Sequence, residues 1–240
     1  MRARRRGRVV RRLVWLAALS AAAWLAWEAW TWPRVGALAQ RPPATTAFIE
    51  RWRATQRQAG RSDRVDRRWV PYGAIAPSVK VAVLVAEDIN FFSHRGFDSG
   101  EIRKALTQAL EERELPRGAS TITQQLAKNL WLSPSRDPLR KTREALLTWQ
   151  LERAVGKRRL LEIYLNVVEF GPGVWGIESA SRRYYGKAAA DLDDDEAARL
   201  AASLPSPATW HPGSGSPAYR RHADSVRRRM DKAQFLRRLI

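Results

Sequence analysis

The chain has 240 residues, 45% hydrophobic and 28% charged, so it can bury one sizeable core. Forty-three Lys and Arg against 24 Asp and Glu give a formal charge of +19, which points to an anionic partner: nucleic acid, an acidic membrane or a phosphorylated substrate. With no cysteine, disulfides, thiolate zinc sites and cysteine nucleophiles are excluded.

Residues 2–12 are rich in arginine and contain no acid. An apolar run then extends from Leu13 to Trp32, its only charge Glu28, and Pro33 stops it. About 20 residues is what a bilayer-crossing helix needs. Arginines ahead of the span predict a cytoplasmic N-terminus, and Trp27, Trp30 and Trp32 suit the outer interface. The alternative is a cleaved signal peptide with Ala37-Leu38-Ala39 as its processing site. The length of the run and its aromatic belt favour an anchor that stays.

The predicted organisation is a cytoplasmic basic segment (1–12), a transmembrane helix (13–32), a stalk (33–66) and a compact domain (67–240). A domain held outside the cytoplasm has no nucleic acid to bind, so the positive charge must answer to membrane lipid or to a phosphorylated, membrane-held substrate.

Within the stalk a polar helix is expected over about 46–58. In the domain, "SVKVAVLVAED" is ambiguous: Val79, Val81, Val83 and Val85 alternate as in a strand, while Val79, Ala82, Val83 and Ala86 fit a helical stripe. Periodicity alone favours the strand. Next comes "EDINFFSHRGFD", which packs Glu87, Asp88 and His94 among Phe91, Phe92 and Phe97. So many rings do not belong on a surface loop, and a core tolerates unpaired carboxylates badly.

Asp98 and Glu101 have capping-box spacing for a helix to about Glu114, and Thr121 and Gln124 repeat it after a loop ending at Gly118. Asp137 as N-cap, Pro138 in the first turn and Gly156 as C-cap frame the next helix. "KRRLLEIYLNVVEF" is a further helix, ended by the glycine-rich "GPGVWG". Helices at about 177–185 and 193–203 follow, and a basic helix comes last.

On the helix after Gly118, Thr121, Gln125 and Lys128 share one face beside a helix N-terminus that favours anions. Spacing alone favours a solvated face, but Thr, Gln, Gln, Lys and Asn form a hydrogen-bonding wall, not an idle Glu/Lys mixture. On the next helix Arg140 and Glu144 are spaced for an intrahelical salt bridge. Taken with Glu87, two carboxylates and several cations suit sugar chemistry on an anionic donor.

These blocks carry a resemblance. "EDINFFSHRGFD", "GASTITQQLAKNL", "RKTREALLTWQLE", "KRRLLEIYLNVVEFGPGVWGIESASRRYYGK" and "LAASLPSPATWHP" resemble, in order, the five motifs of the peptidoglycan glycosyltransferases (family 51). The similarity covers about Trp69 to Pro212. It implies a mainly α, lysozyme-like glycosyltransferase domain behind one N-terminal transmembrane helix, and hence a helix over 78–87. No Ser-x-x-Lys occurs, so the chain is similar to the monofunctional transglycosylases.

The resemblance implies that Glu87 is the general base and Glu144 the second catalytic glutamate, near the donor pyrophosphate. Lys128 and Arg140 match the cations that contact that group. Ser120, Thr121, Gln125 and Asn129 match its polar wall. Asp88, Phe91 and His94 complete the substrate-side set, holding the loop being the favoured task of each. Leu130, Trp131 and Leu132 fall where the family has a mobile, lipid-touching subdomain; ordinary core packing reads equally there.

The activity implied is polymerisation of lipid II into β-1,4-linked glycan, with inversion and release of undecaprenyl pyrophosphate. No metal ligand set and no required cofactor are implied, stimulation by Mg or Mn being compatible with the family. Expected partners are lipid II, the growing lipid-linked strand and the inner membrane, with divisome proteins or other cell wall synthases as candidate protein partners. The location implied is the inner membrane, single-pass, with the catalytic domain periplasmic. A hydrolase of finished peptidoglycan would need no pyrophosphate clamp. A non-catalytic scaffold would need neither Glu87 nor Glu144.

Overall fold

The computed structural model describes residues 2–112, 120–134 and 138–240. The chain divides into two compact units, Met1–Arg34 and Val35–Ile240.

The first unit is the helix α1 (Arg2–Thr31). Leu13, Trp15, Leu16, Leu19, Trp24, Trp27 and Trp30 all point outward, Trp30 being 87% exposed. The segment Arg11–Ala39 contains a window of mean hydropathy 1.3, long and apolar enough to cross a membrane. Such a surface suits hydrocarbon rather than water.

The second unit is mainly helical. Its helices are α2 (Ala47–Gln58), α3 (Pro77–Glu87), α4 (Ser99–Glu112), α5 (Ile122–Trp131), α6 (Pro138–Ala154), α7 (Lys157–Val167), α8 (Ile177–Tyr185), α9 (Asp194–Ala201) and α10 (Pro217–Lys232). The strands β1 (Glu169–Gly171) and β2 (Val174–Trp175) form a small antiparallel ribbon pairing Glu169 with Trp175.

At the centre lies α3. Every residue from Ser78 to Val85 is buried, and the helix packs against α9 and α10. Pro77 in its first turn fits the place where an N–H has no partner. A helix buried on all sides must be apolar on all sides, which is why its sequence satisfied both periods. It is the helix that the family resemblance implied, and the strand periodicity is overruled.

Four further expectations are corrected. The stretch expected as a stalk does not stand apart: Val35, Leu38 and Ile49 are buried, and α2 packs on α5. An amphipathic α2 with Ile49 2% exposed has an apolar side to cover. Gly156 does not cap α6. It has φ −67 and ψ 151, an extended conformation, and serves as N-cap of α7. The "GPGVWG" stretch is not merely a helix stop, because it builds the ribbon. Only half of the Asp98 capping box forms: Asp98 accepts from the Gly100 and Glu101 N–H groups at 2.9 and 3.0 Å, while Glu101 turns to Lys104. The Glu101 carboxylate is engaged by Lys104 Nζ at 2.8 Å, which takes the place of the return bond to the Asp98 N–H. The proposed helix end at Glu114, Gly118 and the N-cap Asp137 lie outside the described residues.

Two glycines in the ribbon are required by their surroundings. Gly173 has φ +72, and a Cβ there would lie 2.8 Å from the Trp52 ring. Gly176 has φ +83, and its Cβ would lie 2.7 Å from the Asn166 carbonyl oxygen. Asn166 also ties the chain entering the domain to α7. Its side-chain oxygen accepts from Val70 N–H at 2.8 Å, and its amide donates to Val70 C=O at 2.9 Å.

Candidate active site

Glu87 is the last residue of α3 and faces a cleft of about 270 Å³ lined also by Asp88, Ile89, Asn90, Asp98, Ser120, Thr121 and Arg229. Gln125, one turn into α5, donates its amide N–H to Glu87 Oε2 at 2.7 Å. Burial pushes the Glu87 carboxyl above its ordinary range. The Gln125 bond, Lys128 and Arg229 act against that rise, and the neighbouring Asp88 adds to it. The result is a carboxylate with strengthened basicity and one fixed hydrogen-bond donor, open to a cleft.

Asp88, Phe91 and His94 come together behind Glu87. Asp88 accepts from the Ile122 N–H, in the first turn of α5, and from His94 Nε2, each at 3.0 Å. His94 Nδ1 accepts from Gly96 N–H at 3.1 Å, so the ring carries its proton on Nε2. Phe91 is fully buried, edge-on to Phe92 and His94, with Lys157 Nζ 4.3 Å above its ring. These three therefore form a bracket that fixes α5 against the end of α3. Gly96 (φ +90) closes it, because a Cβ there would lie 2.9 Å from Thr148 Cγ2.

Thr121 belongs partly to the same bracket. It is the N-cap of α5 and completes a capping box with Gln124, as the spacing predicted. Its hydroxyl donates inward to Gly96 C=O at 2.7 Å, so it does not extend the wall of Gln125 and Lys128. Ser120 stands exposed on the cleft rim. Asn129 donates back to the Gln125 carbonyl at 2.9 Å.

Along α5, Lys128 is desolvated, which lowers its pKa, while Glu144 and Glu87 both pull it back up. It thus stands electrostatically between the two carboxylates. Glu144 is 3% exposed on α6. Arg140 donates to its Oε2 at 2.7 Å, and Lys141 bonds its other oxygen. The predicted Arg140–Glu144 salt bridge exists, but buried on one side and joined by a second cation. Lys128, Arg140 and Lys141 thus bring three cations to the neighbourhood of Glu144. Such a gathering of cations suits an anionic group such as a pyrophosphate.

Sequence reasoning missed three residues here. Lys141 was signalled by its spacing from Glu144. Tyr164, whose hydroxyl bonds Gln125 at 2.9 Å, gave no signal within a helix of apolar periodicity. Arg229 comes from α10, donates to Val85 C=O at 2.9 Å and lines the cleft. Among the described residues, no cluster of three His, Asp or Glu could hold a metal ion.

The sequence matches a family model described as Transglycosylase over residues 54–231. It is similar to proteins named biosynthetic peptidoglycan transglycosylase. That of Thiobacillus denitrificans is 44% identical over 206 residues, covering 86% of this chain and 89% of the relative. That of an Azoarcus species is 44% identical over 211 residues, covering 88% and 90%. That of Aromatoleum aromaticum is 46% identical over 189 residues, covering 78% and 81%.

Proposed function

Because this chain belongs to the biosynthetic peptidoglycan transglycosylases, and so is a glycosyltransferase of cell wall synthesis, we propose that it polymerises lipid II from the outer side of the inner membrane. Glu87 takes the proton from the 4-hydroxyl of the acceptor's N-acetylglucosamine. The freed oxygen attacks C1 of the lipid-linked donor strand. The bond from C1 to the pyrophosphate oxygen breaks, its electron pair leaves with undecaprenyl pyrophosphate, and the α linkage becomes β-1,4. Direct displacement needs no covalent enzyme intermediate.

The observation that carries this reading is the Glu87 carboxylate lining the cleft with Gln125, on the same helix as Lys128, donating to its Oε2 at 2.7 Å. On one side Glu87 is desolvated, and burial raises its carboxyl above the ordinary range. On the other, Glu144 is held by Arg140 and Lys141. Charge on the leaving pyrophosphate would develop against those cations, where fixed positive groups lower the barrier. Ser120 and Gln125 supply polar contacts, whereas Asp88, Phe91, His94 and Thr121 act by holding the base in place.

The reading needs no cofactor, and Mg or Mn stimulation would act through the pyrophosphate. The arginines in the first turns of α1 support a cytoplasmic N-terminus with the catalytic unit periplasmic. Divisome proteins or other synthases would meet the enzyme there. The test is incubation of the purified chain with labelled lipid II in detergent. Polymer is the expected product. Absence of polymer, with small fragments released from preformed peptidoglycan, would make it a hydrolase.

A further inference from the structure

Glu87 takes its hydrogen bond from Gln125, and the Gln125 amide is itself held from behind. Tyr164, on α7, is 1% exposed. Its hydroxyl donates to Gln125 Oε1 at 2.9 Å, while Gln125 Nε2 donates to Glu87 Oε2 at 2.7 Å. Three helices are joined by this chain: α7 through Tyr164, α5 through Gln125 and α3 through Glu87. We propose that Tyr164 is a positioning residue for the Glu87 base, holding the Gln125 amide with its N–H toward the carboxylate and strengthening that donor. The proposal rests on the reading of Glu87 as the base.

The physical case has three parts. An amide turned end for end would set Oε1 against the ionised carboxylate, two acceptors with no proton between them. A hydroxyl donating to Oε1 opposes that turn. It also polarises the amide, because hydrogen bonds in a chain strengthen one another in a low-dielectric interior. Finally, Tyr164 keeps its proton: burial, then the charges of Glu87 and Asp88, push its ionisation well above the ordinary phenol range. It is a donor at every pH at which the enzyme could work.

Other groups face Glu87 too. Asp88 adjoins it, Lys128 reaches from α5 and Arg229 from α10, and Asp98 and Glu101 line the same cleft. Tyr164→Phe alters none of these. It keeps the ring and its packing and removes only the hydroxyl.

The measurement is the pH dependence of kcat/KM for lipid II polymerisation. Removing support from the ionised carboxylate raises its pKa, so the acid limb in Tyr164→Phe should move up by about one pH unit. Turnover at a pH near that limb should fall roughly tenfold. KM should stay within about twofold, because Tyr164 touches no substrate. Gln125→Met breaks the same chain from its other end and must move the limb in the same direction. The double variant should go no further than Gln125→Met alone.

A purely packing role would lower thermal stability and leave the limb in place. An unmoved limb in folded Tyr164→Phe overturns the proposal, and so do additive effects in the double variant. If Tyr164→Phe does not fold, Tyr164→Leu, which also lacks the hydroxyl, decides in its place, a moved limb supporting the proposal and an unmoved one overturning it. Failure of the base assignment shows separately: Glu87→Gln would then retain polymerisation, whatever the tyrosine variant does.

Discussion

Replacing Asp88 with Asn tests whether the bracket behind Glu87 acts as a mechanical support. Asp88 is 8% exposed and accepts from Ile122 N–H and from His94 Nε2, each at 3.0 Å. An asparagine offers one oxygen and one NH₂. If the oxygen stays with Ile122, the NH₂ meets the Nε2 proton of His94, donor against donor. Shifting that proton to Nδ1 moves the conflict to Gly96 N–H, which Nδ1 now accepts at 3.1 Å. Every arrangement leaves one buried donor unmatched, at a cost of about 1–3 kcal/mol, and the bonds that remain lose their ionic strength. A total of about 2–4 kcal/mol follows, equivalent to a fall in Tm of roughly 5–15 °C for a unit of this size. Tryptophan fluorescence during thermal unfolding of the purified chain in detergent would read it. Activity should fall with stability, since α5 carries both Gln125 and Lys128. An Asp88→Asn protein with unchanged Tm and no activity would refute the reasoning and make Asp88 a substrate contact.

Glu87→Gln should lose polymerisation by at least about a hundredfold while keeping the fold and lipid II binding. Its Tm should equal or exceed that of wild type at neutral pH. The raised carboxyl pKa means that ionised Glu87 opposes folding above that pKa and ceases to do so as pH falls through it; a large Tm loss would contradict this. Lys128→Ala and Arg140→Ala should each cut turnover strongly and weaken binding of phosphoglycolipid inhibitors that mimic the donor. Removing Arg227 and Arg228 should leave turnover in detergent near normal and weaken salt-sensitive membrane association. Arg227 bonds Asp195 at 2.8 Å on the exposed surface, where such pairs contribute little; equal losses from both pairs of changes would favour a diffuse field over a clamp. Glu144→Gln should abolish turnover. Glu152→Gln should spare turnover per folded molecule but lower Tm, because Glu152 accepts from Thr123 at 2.5 Å and Lys157 at 2.8 Å; equal losses of turnover would deny Glu144 its special place.

What the sequence revealed was mostly local. Thr121 and Gln124 could be paired as a capping box because three residues of spacing carry that geometry. The Arg140–Glu144 pair was equally readable from its helical spacing. The all-round burial of α3 was not, since it depends on α9 and α10 arriving from far along the chain. The glycine capping signal assigned Gly156 to the wrong helix, because only one residue separates it from the end of α6 and a glycine there can close one helix or open the next. Tyr164 shows the hardest case. Its ring obeys the apolar stripe of α7, so nothing marked its hydroxyl as bonded to a residue 39 positions away.

Arg229 gives the cleft a property of timing. It reaches Val85 across 144 positions of sequence, with Glu87 two residues further on. A partly synthesised chain that ends before α10 would carry Glu87, Gln125, Lys128 and Glu144, yet Glu87, the proposed base, would lack a wall and a neighbouring cation. α3 would also lose one of the two helices that cover it. Catalytic competence should therefore arrive late and all at once, when residues 217–232 have emerged and docked. A glycosyltransferase built this way would not start strands while still being made.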